Sequence, residues 1–308
     1  MCIKSPLTSS LNLKIIKKID KQKIIKLYES ELEIDVNVFL KNLDEVFLFK
    51  CLDTGYMFYY PLNLSGDENF YDQLKIQLPK IYNVSYYSED KWEYDVCTKF
   101  INSNDSVYEI GAGKGIFLEK LKNNGIKKIF GSEFNLSSIA EAHKRGIFLE
   151  NKTIEQKAKE ITNEFDVVCI FQVLEHISNV KDFISSCIKI LKPEGKLIIA
   201  VPYNNPFLFK NDIFNTLNLP PHHMGLWNKK AFKSLSKYFP IKLNRIIIEK
   251  LPVYGYDFER YFNVNKDIFY KPSYPFKKIV DKIYRRWLRF SHNFISGKNI
   301  IVIFEKNE

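Results

Sequence analysis

Between Asp105 and Pro202 short apolar runs alternate with amphipathic stretches of about ten residues, and this alternation restricts the fold more than any other feature. "SVYEI", "KKIFGSE", "FDVVCIF" and "GKLIIAVP" read as strands; "GIFLEKLKNN", "LSSIAEAHKR" and "VKDFISSCIKILK" read as helices. Strands separated by helices imply right-handed crossovers and a parallel sheet covered on both faces. "RIIIEKL" and "NIIVIFE" add strands near the C-terminus, and the expected architecture is an α/β, doubly wound, mostly parallel seven-stranded sheet. Residues 1–84 differ in texture and predict a small α+β appendage. It has a lysine-rich helix over about Leu11 to Tyr28 and aromatic strands within "EVFLFKCLDTGYMFYYP".

In such a sheet the ligand lies at the carboxyl ends of the strands, beside the turn after the first one. That turn is "EIGAGKG", with Gly111, Gly113 and Gly115 at alternate positions. Glycine lets the backbone approach a ligand closely, and the helix behind it presents free N–H groups. A dinucleotide, a nucleoside triphosphate and S-adenosylmethionine are the candidate ligands. The dinucleotide fingerprint wants its third glycine where this chain has Ile116, and no Gly-Lys-Ser/Thr phosphate loop occurs. Glu109 at the strand's end and Glu133 at the tip of the next strand complete the pattern; a carboxylate at the second position can accept both ribose hydroxyls.

"VYEIGAGKGIFLEKL", "GSEFN", "FDVVCIFQVLEHI" and "LKPEGKLIIAVPY", in this order, resemble the successive motifs of class I S-adenosylmethionine-dependent methyltransferases over about residues 85–305, within a domain expected over 85–308. The branch resembled includes ubiquinone-biosynthesis O-methyltransferases and bacterial sugar methyltransferases of polysaccharide clusters. The resemblance implies that Glu109, Gly111, Ala112, Gly113 and Gly115 support the methionine end of S-adenosylmethionine. It implies that Glu133 holds the ribose, that Phe134 lies against the adenine, and that Phe171, Gln172 and Leu174 border the sulfonium and adenosyl group. Tyr86, Lys91 and Trp92 are expected in a lid, with Lys91 facing the methionine carboxylate. Gln172 stands where the ubiquinone relatives carry Glu, which speaks against a carboxylate metal site there. Related chains often begin with a zinc ribbon of two C-x-x-C pairs; here "CIKS" and "CLDT" keep one cysteine each, Cys2 and Cys51, too few for a four-ligand site. The appendage is therefore expected to be a ribbon-like remnant without metal.

A hydroxyl acceptor needs a base, and histidine suits neutral pH. His176 in "VLEHI" and His222 and His223 in "PPHHMGLW" fall where the fold places an active site; the latter segment also resembles one that lines acceptor pockets in this branch, so His222 or His223 is expected to orient or deprotonate the acceptor hydroxyl and His176 to hold the loop beside the cofactor. His143 and His292 read as surface residues. The aromatic-rich inserts over about 203–227 and 251–298 would build the pocket, and their rings suit a sugar or nucleotide-sugar. An RNA methyltransferase and a cofactor-binding scaffold without turnover are the alternatives.

The formal charge of +10 is spread along the chain rather than gathered on one face, which speaks against a nucleic-acid partner. In "KPSYPFKKIVDKIYRRWLRF", Ile279, Ile283 and Trp287 share a helical face, read as packed on the domain, with peripheral membrane contact through 277–290 as the other option. Five scattered cysteines form no disulfide framework, no run approaches about 20 apolar residues, and the first residues lack an apolar leader block. A soluble, cytoplasmic protein is the expectation.

Overall fold

The computed structural model of the chain describes residues 3–82, 91–204, 215–254 and 275–308, together with 258, 259, 261–263, 266, 270 and 271. In chain order the elements are β1 (Leu13–Asp20), α1 (Lys21–Leu32), α2 (Asn37–Leu40), β2 (Glu45–Cys51), β3 (Met57–Tyr60), α3 (Glu68–Tyr82) and α4 (Trp92–Thr98). The alternating part follows: β4 (Ser106–Ile110), α5 (Ile116–Asn123), β5 (Lys128–Ser132), α6 (Leu136–Lys144), α7 (Ile154–Glu160), β6 (Phe165–Phe171), α8 (Val180–Ile190) and β7 (Leu191–Pro202). A two-residue strand, β8 (Gly225–Leu226), the helix Lys229–Leu235, β9 (Ile241–Lys250), the helix Lys277–Ser291 and β10 (Ser296–Lys306) complete the chain.

The main sheet has the order β5-β4-β6-β7-β10-β9. β5, β4, β6 and β7 run parallel, and β10 is antiparallel to both β7 and β9. Among the described residues this sheet has six strands, not the expected seven. Beyond β5 a single parallel bridge, Ser132 to Glu150, is all that pairs, because the chain turns into α7 three residues later at the Thr153 capping box. β4 and β6 are almost wholly buried, as their unbroken apolar runs require of a sheet covered on both faces. One face packs against α7, α8 and the helix Lys229–Leu235; the other packs against α4, α5 and α6.

The N-terminal residues form a second sheet, β1-β2-β3-β8, all antiparallel. The lysine-rich stretch divides where a single helix was expected: Leu13–Asp20 is a strand and only Lys21–Leu32 is helical. Ile15, Ile16 and Ile19 favour the pleated surface, β2 supplies pairing partners, and the Asp20 side chain caps α1 by accepting from Gln22 N–H. β8 belongs to the insert after β7, so the appendage and the insert share one sheet. They also share a core: Tyr28 Oη donates to Leu219 O at 2.9 Å, and Trp227 is fully buried, 4.5 Å from the Tyr56 ring. Cys51 is buried at the end of β2, whereas Cys2 lies outside the described residues.

Candidate functional site

The glycine turn leaves β4 in left-handed conformations, φ +69° at Gly111, +53° at Gly113 and +72° at Gly115. At Gly111 two demands coincide: the positive φ, and Val173 Cγ2 lying 2.5 Å from where a Cβ would sit. Gly111 therefore lets the turn close onto the loop after β6. The backbone N–H groups of Gly111 and Ala112 donate to Ser132 O, at 2.9 and 3.0 Å, tying the turn to the end of β5. One residue beyond Ser132, Glu133 accepts from Gly113 N–H through Oε2 at 2.8 Å. Through Oε1 it accepts from Phe134 and Asn135 N–H, at 2.8 and 2.9 Å. Three of a carboxylate's roughly four acceptor positions are thus filled. The Phe134 ring beside it is exposed.

Glu109 is buried, and its Oε2 has no hydrogen-bond partner. Burial pushes its carboxyl well up from the ordinary range, the Lys91 charge pulls it down, and the Glu133 charge adds to the upward push. An orphaned buried acceptor of this kind awaits a donor. Lys91 precedes α4, which opens with the partly buried Trp92; Tyr86 lies outside the described residues. Phe171 is in the hydrophobic core, edge-on to Phe117 at 4.7 Å and to Tyr94 at 5.4 Å, so it supports the site from beneath. Leu174 is fully buried in the core on the opposite face of the sheet, beneath the loop and not on an open surface. Gln172 has a positive φ of 56°, and its side-chain amide lies 3.3 Å from both Glu93 Oε1 and Asn299 Oδ1.

His176 closes a short 3-10 turn, Leu174–His176, just past Val173; His222 and His223 come from the insert that ends in β8. The three rings cluster with centroids 4.4 to 5.1 Å apart. His176 Nδ1 faces His222 O at 2.6 Å, His222 Nδ1 faces Leu217 O at 2.8 Å, and His223 Nδ1 faces Asn218 Oδ1 at 3.2 Å. Carbonyl oxygens only accept, so each neutral ring carries its proton on Nδ1 and keeps the Nε2 lone pair. Burial lowers His176 to about 4; burial and the neighbouring His176 lower His222 to about 3; His223 falls well below its ordinary value for the same reasons. All three are neutral at physiological pH. Their ligand atoms lie within 4.8 Å of one another, whereas nitrogens about 2.1 Å from one zinc ion are less than about 4.2 Å apart. The rings would have to draw together to hold a metal.

Two further groups surround these rings, and sequence reasoning gave neither of them a place in the site. Glu175 is buried, Oε1 lies 3.8 Å from His176 Nε2, and Oε2 is unpartnered. Burial pushes its carboxyl up to about 8, and Glu93 adds to the push. Tyr71 on α3 sets its ring edge-on to His176 at 5.5 Å. Glu175 adjoins His176 in "VLEHI", a signal that was available; Tyr71 had none, since its place depends on the appendage folding over the insert.

A family model described as a methyltransferase domain matches residues 90–238. The mitochondrial ubiquinone biosynthesis O-methyltransferase of Dictyostelium discoideum is 28% identical over 186 residues, 52% of this chain and 57% of that protein. The ubiquinone biosynthesis O-methyltransferase of Caulobacter vibrioides is 32% identical over 100 residues, 31% of this chain and 40% of the other. The chain spans about half the length of the curated relatives it matches. A SAM dependent methyltransferase from Archaeoglobus fulgidus superposes with a TM-score of 0.49 at 16% identity, covering 78% of this chain and 100% of that one.

Proposed function

We propose that this chain, whose residues 90–238 match a methyltransferase domain, is a class I S-adenosylmethionine-dependent methyltransferase that methylates a hydroxyl of a small molecule, a sugar or nucleotide-sugar of surface-glycan biosynthesis. The observation that carries the reading is the pairing of two acidic groups at the tips of adjacent parallel strands with a buried acid–imidazole pair one strand further along the sheet. Glu109 fits the amino-acid end of the cofactor and Glu133 its nucleoside end. One has an acceptor oxygen without a donor, and the other already organises the turn through Gly113. When bound, S-adenosylmethionine supplies a methyl group on a sulfonium that is already a good leaving group.

This chain's residues then have to align the acceptor and take its proton. With Nδ1 committed to His222 O, His176 offers Nε2, 3.8 Å from Glu175 Oε1. The ionised carboxylate would stabilise the imidazolium formed when Nε2 takes the hydroxyl proton. His222, lowered by burial to about 3, and His223, held well below its ordinary value, are poor proton acceptors by themselves and serve better as orienting groups than as the base expected of them. The Glu175–His176 pair is thus the proposed base. The stacked His222 and His223 rings, with Tyr71 edge-on to His176, form an aromatic, amphipathic cluster of the kind that suits a sugar ring.

The test is to incubate the full chain with S-adenosylmethionine labelled in its methyl group and a fractionated cell extract. Label in a glycan or nucleotide-sugar fraction supports the reading; label in RNA overturns the acceptor class, and binding of the cofactor without label in any fraction supports a scaffold.

A further inference from the structure

The helix Lys277–Ser291 has two apolar faces, and the structure buries the unexpected one. Tyr284 and Leu288 pack inward with Phe258, Phe262 and Tyr270, whereas Ile279, Ile283 and Trp287, the face expected on the domain, point outward. Phe276 and Phe290 extend that outward stripe, and Phe294 continues it beyond the helix end. Phe290 and Phe294 are 89% and 92% exposed, large aromatic rings held almost wholly in water. Isolated exposed apolar residues are ordinary, but a continuous stripe of this size marks a contact surface.

Charge selects the partner. Lys278, Lys282 and Arg286 recur every fourth residue, so they form one exposed row along the flank of the stripe. The helix holds six basic residues and a single acidic one, Asp281. An aromatic and aliphatic stripe edged by cations is the pattern of a helix lying in the interface of an anionic bilayer, rings among the acyl chains and cations at the headgroups. Among the described residues no helix is long and apolar enough to cross a membrane, so the contact would be peripheral.

Topology relates this surface to the site. β9 and β7 both run antiparallel to β10, so β9 ends at the edge where β4, β6 and β7 also end. Residues 251–295 leave and rejoin the sheet at that edge, and Asn299, paired with Pro202, lies within reach of the Gln172 amide. We propose that the helix seats the protein on an anionic lipid surface with the edge bearing the glycine turn and histidines turned toward it, so that the acceptor is one carried at that surface. The acceptor part rests on the methyl-transfer reading; the lipid contact does not.

The experiment is sedimentation of the full chain with vesicles of phosphatidylcholine alone and of phosphatidylcholine mixed with phosphatidylglycerol, without cofactor or acceptor. Binding to the mixed vesicles that weakens as salt is raised is expected. Lys278→Glu with Lys282→Glu, and separately Ile283→Asp with Phe290→Asp, should each reduce it about tenfold or more while the melting temperature holds, since all four side chains are exposed. Equal binding to both vesicles, no binding, or a dimer in solution dissociated by the apolar substitutions would overturn the proposal, the last assigning the stripe to a second copy. Calorimetry with S-adenosylmethionine reads the methyl-transfer premise separately.

Discussion

Gly113 donates its backbone N–H to Glu133 Oε2 at 2.8 Å, so the residue expected to grip the ribose also holds the glycine turn in shape. One carboxylate thereby links the tip of β5 to the turn after β4, and the two roles can be separated by substitution. In Glu133→Gln the amide oxygen still accepts from one side of the loop, while the charge and one oxygen, with half of the acceptor positions, are lost. Affinity for S-adenosylmethionine should fall about 10- to 100-fold, the value of a charge-assisted hydrogen bond, with a small change in melting temperature. Calorimetry against S-adenosylmethionine and S-adenosylhomocysteine checks this, and unchanged affinity for both would remove Glu133 from the cofactor site.

Gly111→Ala tests the closure of the turn on Val173. The new methyl would meet Val173 Cγ2 at 2.5 Å in a backbone held at φ +69°. A cost of about 1–3 kcal/mol is expected from strain and overpacking together. Adding Val173→Ala should return only part of it, because the smaller neighbour relieves the clash and leaves φ as it is. Full recovery in the double variant, measured by chemical denaturation, would show that backbone conformation contributes nothing at this position.

What could be read from the sequence follows the range of the interactions involved. The glycine turn and the strands from β4 to β7 rest on contacts between near neighbours, and their patterns are local. Two readings failed for a shared reason. The outward stripe at Ile279 and Ile283 and the inward placement of Tyr284 are equally good amphipathic solutions, and the choice depends on Phe258, Phe262 and Tyr270 arriving from elsewhere. The stretch Leu13–Asp20 became a strand because β2 supplied a partner. Phe171 lies in the expected segment, yet alternation puts its ring into the core and leaves Gln172 at the edge. Likewise, the meeting of Tyr71 with His176 depends on the β3–β8 pairing, Met57 with Leu226, which spans most of the chain.

The Glu175–His176 pair should show itself in the pH dependence of turnover. The carboxyl of Glu175 is raised to about 8 and His176 is lowered to about 4, so near neutrality the pair carries a single proton on the acid. That proton must leave before Glu175 can stabilise a charged imidazole, so kcat should rise with pH through about 8, a value belonging to the pair rather than to either residue. Glu175→Gln should lower kcat by about 10²-fold or more and flatten the profile, with cofactor affinity retained. His222→Asn should raise KM for the acceptor more than it lowers kcat. A profile unaltered by Glu175→Gln would exclude the pair as base.

The buried imidazoles also set a limit on acid stability. His176 and His222 have folded values of about 4 and 3, and His223 lies well below its ordinary value; all are depressed relative to about 6.5 in an unfolded chain. A depressed value means that the unfolded state takes up the proton first. The stability these rings contribute as neutral groups is therefore complete above about 6.5 and is lost as pH falls toward their folded values. Each ring that must stay neutral costs about 1.4 kcal/mol per pH unit below that point. Glu175, raised to about 8, acts in the opposite sense and loses its contribution as pH rises toward 8, so thermal melts should decline on both sides of a maximum, and on the acid side, below about 6, the three imidazoles outweigh it. Replacing His222 and His223 by Asn should shallow the acid-side decline even if the variant starts from a lower melting temperature, because the slope counts protons and the starting value counts packing. A slope unchanged in that variant would mean that the rings are already protonated, or exposed, in the folded protein.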